Sequence, residues 1–241
     1  MTAERQGRAR TGSAREGRLT ARPTAPSVAG PLGRRRNGRG RRRDGLVYVP
    51  PSYHRGRAAP LLVLLHGAGA DGEDILPVLE DYADAAGLLL LAPDSRDVTW
   101  DAVGGSYGPD VSFLDRALAD TFARYAVDPG RVAVSGFSDG ASYALSLGIT
   151  NGDLLGHVIA FSPGFMVPAG QRGTPRLFIS HGTRDRVLPI DVCSRRIVPP
   201  LQRAGYDVRY REFDGGHAIP GPIVREAVAW FEQRRVGEGA A

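Results

Sequence analysis

The hydrophobic pattern of this chain changes near residue 44. Before it, apolar residues fall singly among Arg, Gly, Ala and Ser, with neither a helical nor a strand period. After it, short apolar runs alternate with amphipathic stretches of helix length. Leu61–Leu65 (LLVLL) and Leu88–Ala92 (LLLLA) have the length and unbroken apolarity of strands buried on both faces. Further strands are expected at Leu46–Val49, Arg131–Ser135, Val158–Phe161, Leu177–Ser180 and Val208–Phe213. Helices are expected at Asp74–Ala86, Val111–Tyr125, Asp139–Leu147, Asp191–Ala204 and Ile223–Arg234. In DVSFLDRALADTFARY, residues Val111, Leu114, Leu118, Phe122 and Tyr125 recur every three or four positions and form one apolar helix face. The alternation predicts an α/β domain over residues 44–236, a mostly parallel sheet with helices on both faces.

Composition narrows the chemistry. With 241 residues and 42% hydrophobic content, the chain can bury one sizeable core. No run approaches the ~18 apolar residues of a membrane-spanning helix. The single cysteine, Cys193, excludes an internal disulfide. There is no lysine, so all 31 basic residues are arginine. A Schiff-base enzyme, a Ser–Lys dyad and a Walker A loop each need that amine and are excluded. Residues 1–43 hold 13 arginines against Glu4 and Glu16, a local balance of +11, so the remainder is net acidic at −6 and the chain's net charge of +5 owes its sign to this segment. Such a segment is expected to be disordered. It is the one place where nucleic acid could bind, through phosphates, although no aromatic residue interleaves with its arginines. The arginines lead into DGLVYVPP rather than an export signal's apolar stretch, so a cytoplasmic location is expected.

In sheets of this kind function gathers at the carboxyl ends of the strands. There the sequence places HGAGADGED, PDSRDVTWD, GFSDG, HGTRDRVLP and DGGHAIP. Gly136-Phe137-Ser138-Asp139-Gly140 fits G-x-S-x-G between a strand and a helix, the setting of a serine nucleophile on a sharp turn. Of the five histidines, His217 is the candidate base, on a glycine-rich loop after the last strand. His66 and His181 suit bracing roles. Asp185 is the candidate to orient the base; Asp191 suits a helix N-cap, and Asp214 lies only three residues from His217. The order Ser138…Asp185…His217 is that of α/β-hydrolases. Oxyanion donors are expected from the backbone N–H of Asp139 and, in the HGAGAD loop, of Ala68. A phosphate cradle there would need a lysine and G-x-G-x-x-G spacing, which the loop lacks.

LLVLLHGAGADGEDI, GFSDGASYAL, HGTRDRVLP and GGHAIP resemble the phospholipase/carboxylesterase branch of the α/β-hydrolase superfamily, which includes small carboxylesterases and acyl-protein-thioesterase-like hydrolases. The resemblance spans roughly residues 46–235. It implies the α/β-hydrolase fold, ester hydrolysis by serine without cofactor or metal, and Ser138, Asp185 and His217 as the triad. The sequence departs from many relatives at Asp139, where they carry Gln.

Trp100, Phe165, Met166 and Leu188, with Phe161 and Ile190, follow strand ends and are candidates for a substrate pocket, though each also suits ordinary core. No long insertion separates Ser138 from Asp185, so no large lid is expected, and short or soluble esters are favoured over long-chain lipids. The expected partner is a small-molecule ester or thioester. Two rivals share these features: a non-catalytic module binding nucleic acid through residues 1–43, and a polyester depolymerase or peptidase on the same triad.

Overall fold

The computed structural model describes residues 13–37 and 43–233. Eight strands form one sheet in the order β1-β2-β4-β3-β5-β6-β7-β8. They are β1 (Gly33–Arg36), β2 (Leu46–Val49), β3 (Ala59–Leu65), β4 (Leu89–Ala92), β5 (Val127–Phe137), β6 (His157–Phe161), β7 (Arg176–Gly182) and β8 (Val208–Phe213). The pairs β1/β2 and β2/β4 are antiparallel, and every other neighbour is parallel.

The pleat of β3 shows how the LLVLL run is used. Leu61, Val63 and Leu65 enter one apolar cluster, and Leu62 and Leu64 enter the other. The first cluster is closed by α3 (Pro109–Arg124), α4 (Asp139–Thr150) and α5 (Ser194–Arg203). The second is closed by α1 (Gly72–Ile75), α2 (Pro77–Ala86) and α6 (Gly221–Glu232). A 3-10 turn, Asp101–Gly104, precedes α3.

Three local expectations are corrected. The helix expected over 74–86 is two helices, because Pro77 has no N–H to continue α1 and instead opens α2. Asp71 caps α1, accepting from the N–H groups of Glu73 and Asp74. Asp191 does not cap α5, which begins at Ser194; its carboxylate pairs with Arg195 at 2.7 Å. The last helix ends at Glu232, and its expected extension to Arg234 reaches outside the described residues.

The larger correction concerns the arginine-rich segment, expected to be disordered up to residue 43. Residues 13–37 are docked on the domain, whereas residues 1–12 and 38–42 lie outside the described residues. Leu19 is buried in the first cluster. The carboxylate of Asp115 on α3 accepts from Thr20 N, Thr20 Oγ1 and Ala21 N at 2.6–2.7 Å. Asn151, just beyond α4, accepts from Leu19 N and donates to Gly17 O. Arg18 and Arg22 both pair with Asp153, Arg35 with Asp120, and Arg34 with Glu80. The domain thus supplies the acceptors and the apolar socket that the segment lacks by itself, and β1 then joins the sheet edge. Leu19→Ala should therefore cost about 2–4 kcal/mol. The check is the urea midpoint, and an unchanged midpoint would mean that this arm contributes nothing to the fold.

Candidate active site

A sharp turn joins β5 to α4. Ser138 sits there with φ 57° and ψ −120°, a left-handed conformation that few non-glycine residues adopt. Its neighbours explain why the turn can form. A Cβ on Gly136 would lie 2.2 Å from the carbonyl oxygen of Gly140, and one on Gly140 would lie 2.2 Å from that of Leu65. Only glycine at both places lets strand and helix cross so closely. Ser138 N donates to Phe161 O, and Ser138 O receives Ala141 N and Ser142 N, all at 3.0 Å. Asp139 is the first residue of α4, where backbone N–H groups have no partner within the helix.

The HGAGAD loop after β3 lies against this turn, with a Cβ on Gly67 falling 3.6 Å from Ser138 Cβ. Ala68 is exposed beside it. His66 is buried under the loop with both ring nitrogens engaged. Nδ1 donates to Gly67 O at 2.7 Å, and Nε2 accepts from Ser95 N at 2.9 Å. Those partners require the neutral Nδ1–H tautomer. Burial lowers the His66 pKa, in keeping with that neutral form.

The loops after β7 and β8 meet at the same end of the sheet, where Arg184 N donates to Gly215 O at 2.9 Å. His217 Nδ1 lies 2.6 Å from Asp185 Oδ2, and its ring packs on Phe137, next to Ser138, at 4.6 Å between centroids. The other oxygen of Asp185 accepts from Val187 N and Leu188 N at 2.9 and 2.8 Å. Burial pushes the Asp185 carboxyl up, but hydrogen bonds from Leu188 N, His217 and Val187 N outweigh it and hold the pKa below the ordinary value. Fully buried His181 donates from Nε2 to Leu188 O and accepts from Ser194 Oγ at Nδ1, so it braces the same loop. Burial lowers its pKa too.

The pocket candidates separate. Trp100 is only 1% exposed, stacked on Tyr143 and donating from Nε1 to His66 O at 2.9 Å. It supports the HGAGAD loop from beneath and lines no open surface, a correction to its expected pocket role. Phe161 and Ile190 are likewise buried. Phe165, Met166 and Leu188 are half-buried, and Met166 packs against the first core cluster. Leu188 lies over Gly164, whose N–H bonds Ser142 Oγ.

The segment around Phe165 is held by a feature the sequence reading passed over. Ser142, Ser146 and Thr150 stand four apart on α4. Their hydroxyls accept from Gly164 N, Val167 N and Ala169 N while donating back to carbonyls one helical turn earlier. The i, i+4 spacing was visible in the sequence, but the partners 19–22 residues away were not. Thr99 was also passed over: its hydroxyl donates to Asp139 Oδ2 at 2.8 Å.

Known proteins resemble this chain in fold and over part of its sequence. The Phospholipase/Carboxylesterase family profile matches residues 113–232. Esterase PE8 is similar in structure, with a TM-score of 0.64 and 28% identity over 77% of this chain and 96% of PE8. The carboxylesterase of Bacillus cereus gives a TM-score of 0.60 at 21% identity over 77% of this chain and 92% of its own. A ferulic acid esterase from Anaeromyces mucronatus gives 0.59 at 19%, over 76% and 81%. The last two bear on the fold alone. The profile match, the PE8 likeness and the eight-stranded sheet together show an α/β-hydrolase fold and a carboxylesterase-type hydrolase similar to the phospholipase/carboxylesterase family.

Proposed function

We propose that the enzyme cleaves carboxylic esters or thioesters of small or soluble substrates through an acyl-enzyme on Ser138. The observation that carries this reading is the strained Ser138 turn beside the His217–Asp185 pair, 2.6 Å apart at the neighbouring loops. Ser138 Oγ attacks the acyl carbon while His217 Nε2 takes its proton. His217 then returns the proton to the leaving alkoxide or thiolate, and water activated by His217 releases the acid. Asp185, acceptor-only and ionised, fixes the Nδ1–H tautomer and stabilises the imidazolium. The amides of Asp139 and Ala68 receive the oxyanion. Phe165 and Leu188 form the rim, and the short loops there favour small or soluble acyl groups over long lipid chains.

Ser138→Ala should abolish hydrolysis of short p-nitrophenyl esters and labelling by an organophosphonate, with the wild-type label mapping to Ser138. A wild-type protein that is folded yet neither turns over these esters nor takes label would overturn the reading. Asp185→Asn should lower kcat by about 10³–10⁴; near-wild-type turnover would remove Asp185 from its role.

The depressed Asp185 pKa also has a stability sign. Its contribution is present above the unfolded value of about 3.9 and is lost as pH falls through the lower folded value. The urea midpoint should therefore drop less steeply below about pH 4 in Asp185→Asn than in wild type. Equal acid limbs in the two proteins would contradict this.

A further inference from the structure

The segment between β4 and the 3-10 turn, residues 94–101, touches both halves of the oxyanion site. Toward the HGAGAD loop, Ser95 N donates to His66 Nε2, Trp100 Nε1 donates to His66 O, and Val98 O accepts from Gly69 N at 2.8 Å. Asp94 Oδ1 accepts from Gly72 N at 2.8 Å. Toward the nucleophile turn, Thr99 Oγ1 donates to Asp139 Oδ2. One segment thus fastens the residues flanking Ala68 and the side chain of Asp139.

That segment is itself closed by a single carboxylate. Asp110, 1% exposed near the start of α3, accepts Arg96 N on Oδ1 at 2.6 Å and Asp101 N on Oδ2 at 2.7 Å. Its two oxygens therefore hold the segment across five residues. Asp101 in turn receives Tyr143 OH from α4 on Oδ1, and Gly108 N and Asp110 N on Oδ2. Accepting rather than donating groups are required at Asp110, because both partners are backbone N–H groups.

We infer that Asp110 is a positioning residue for ester hydrolysis, its carboxylate closing residues 96–101 into a clamp that sets the spacing of the Ala68 and Asp139 amides. The inference rests on the reading of those amides as the oxyanion donors. Protonation would replace one acceptor oxygen by a hydroxyl and loosen one end of the clamp. The charged and titratable groups facing Asp110 are Asp101 from the 3-10 turn and Arg96 from the segment, with Tyr143 of α4 reaching it through Asp101. Asp94, Asp44 and Arg43 surround the Arg96 guanidinium, which lies over Phe113. Burial pushes the Asp110 carboxyl up to about 6, the Arg96 N–H opposes the shift, and the Asp101 charge adds to it. The clamp thus loosens as pH falls through that value.

The test compares the full chain with Asp110→Asn, whose side-chain amide offers one acceptor and turns a donor toward the other N–H. On a short p-nitrophenyl ester at pH 8, kcat should fall about tenfold, with KM within about twofold, as expected when oxyanion donors are displaced rather than removed. A purely structural role predicts no second signature, so Trp100 fluorescence is titrated in a Trp230→Phe, Ser138→Ala background that has no turnover. A transition near pH 6 is expected there, and its loss on adding Asp110→Asn. A folded Asp110→Asn with kcat within twofold of wild type, or no transition near pH 6 with Asp110 present, overturns the proposal. Should Asp110→Asn not fold, Thr99→Val cuts the clamp at its Asp139 end, and an unchanged kcat there overturns it equally. Failure of the proposed ester hydrolysis at Ser138, without which those amides have no oxyanion to receive, is separately visible, because Ser138→Ala would then keep its activity while the titration, which needs no turnover, still reports on Asp110.

Discussion

The close crossing of β5 and α4 is the constraint on which the rest of the molecule depends. A left-handed serine costs on the order of 1–3 kcal/mol, and the turn around Ser138 persists because its surroundings overdetermine it. Every residue of α4 from Gly140 to Thr150 is buried, so the helix cannot move away from the sheet without exposing an apolar face on several sides. Gly136 and Gly140 give the crossing its room, and the Leu65 carbonyl beside Gly140 brings the HGAGAD loop to the same point. A steric requirement at two glycines therefore decides where the hydroxyl, the start of a helix and the neighbouring loop come together.

Around that point the histidines divide by what their ring nitrogens already do. His66 and His181 each give one nitrogen to an acceptor and the other to a donor, which fixes a neutral tautomer and leaves nothing for proton transfer. His217 bonds through Nδ1 alone among the described residues, to a carboxylate held ionised by two backbone N–H groups. On the proposed mechanism, bracing and proton-shuttling histidines thus differ in satisfaction, a distinction that holds whatever their distance from the serine.

This division also explains what could be read from the sequence. The G-x-S-x-G turn, the LLVLL strand and the apolar face of α3 are local: the residues that impose the conformation lie within a few positions of those that adopt it. Pro77 was equally local, and its splitting of a helix was open to the same reasoning. The docked arm was not, because Leu19 alone carries no period and its ordering comes from Asp115, Asn151 and Asp153, more than 90 residues away. Trp100 was misassigned for the same reason. An aromatic at a strand end can face a pocket or support its floor, and only the distant His66 carbonyl and Tyr143 ring decide which. Most of the sheet, the sharp turn at Ser138 and the strand-end loops that carry Asp185 and His217 were legible; the clamps that hold the loops were not, since each joins segments far apart in the chain.

Asp110 shows why such a clamp is worth its energetic burden. A folded pKa near 6, above the unfolded value of about 3.9, means that the group favours folding below the lower value and that this contribution is lost as pH rises through the higher one. At neutral pH the ionised carboxylate is held at a stability cost on the order of 3 kcal/mol. An apolar residue would escape that cost but would leave the N–H groups of Arg96 and Asp101 buried without acceptors, a penalty of similar size. The two choices are thus close in stability and far apart in geometry. Only the carboxylate gives residues 96 and 101 two acceptors at a fixed separation, and the loop between them touches His66, Gly69 and Asp139 at once. Perturbed carboxyls gather where position matters more than stability, and this one lies behind the two amides proposed to receive the oxyanion.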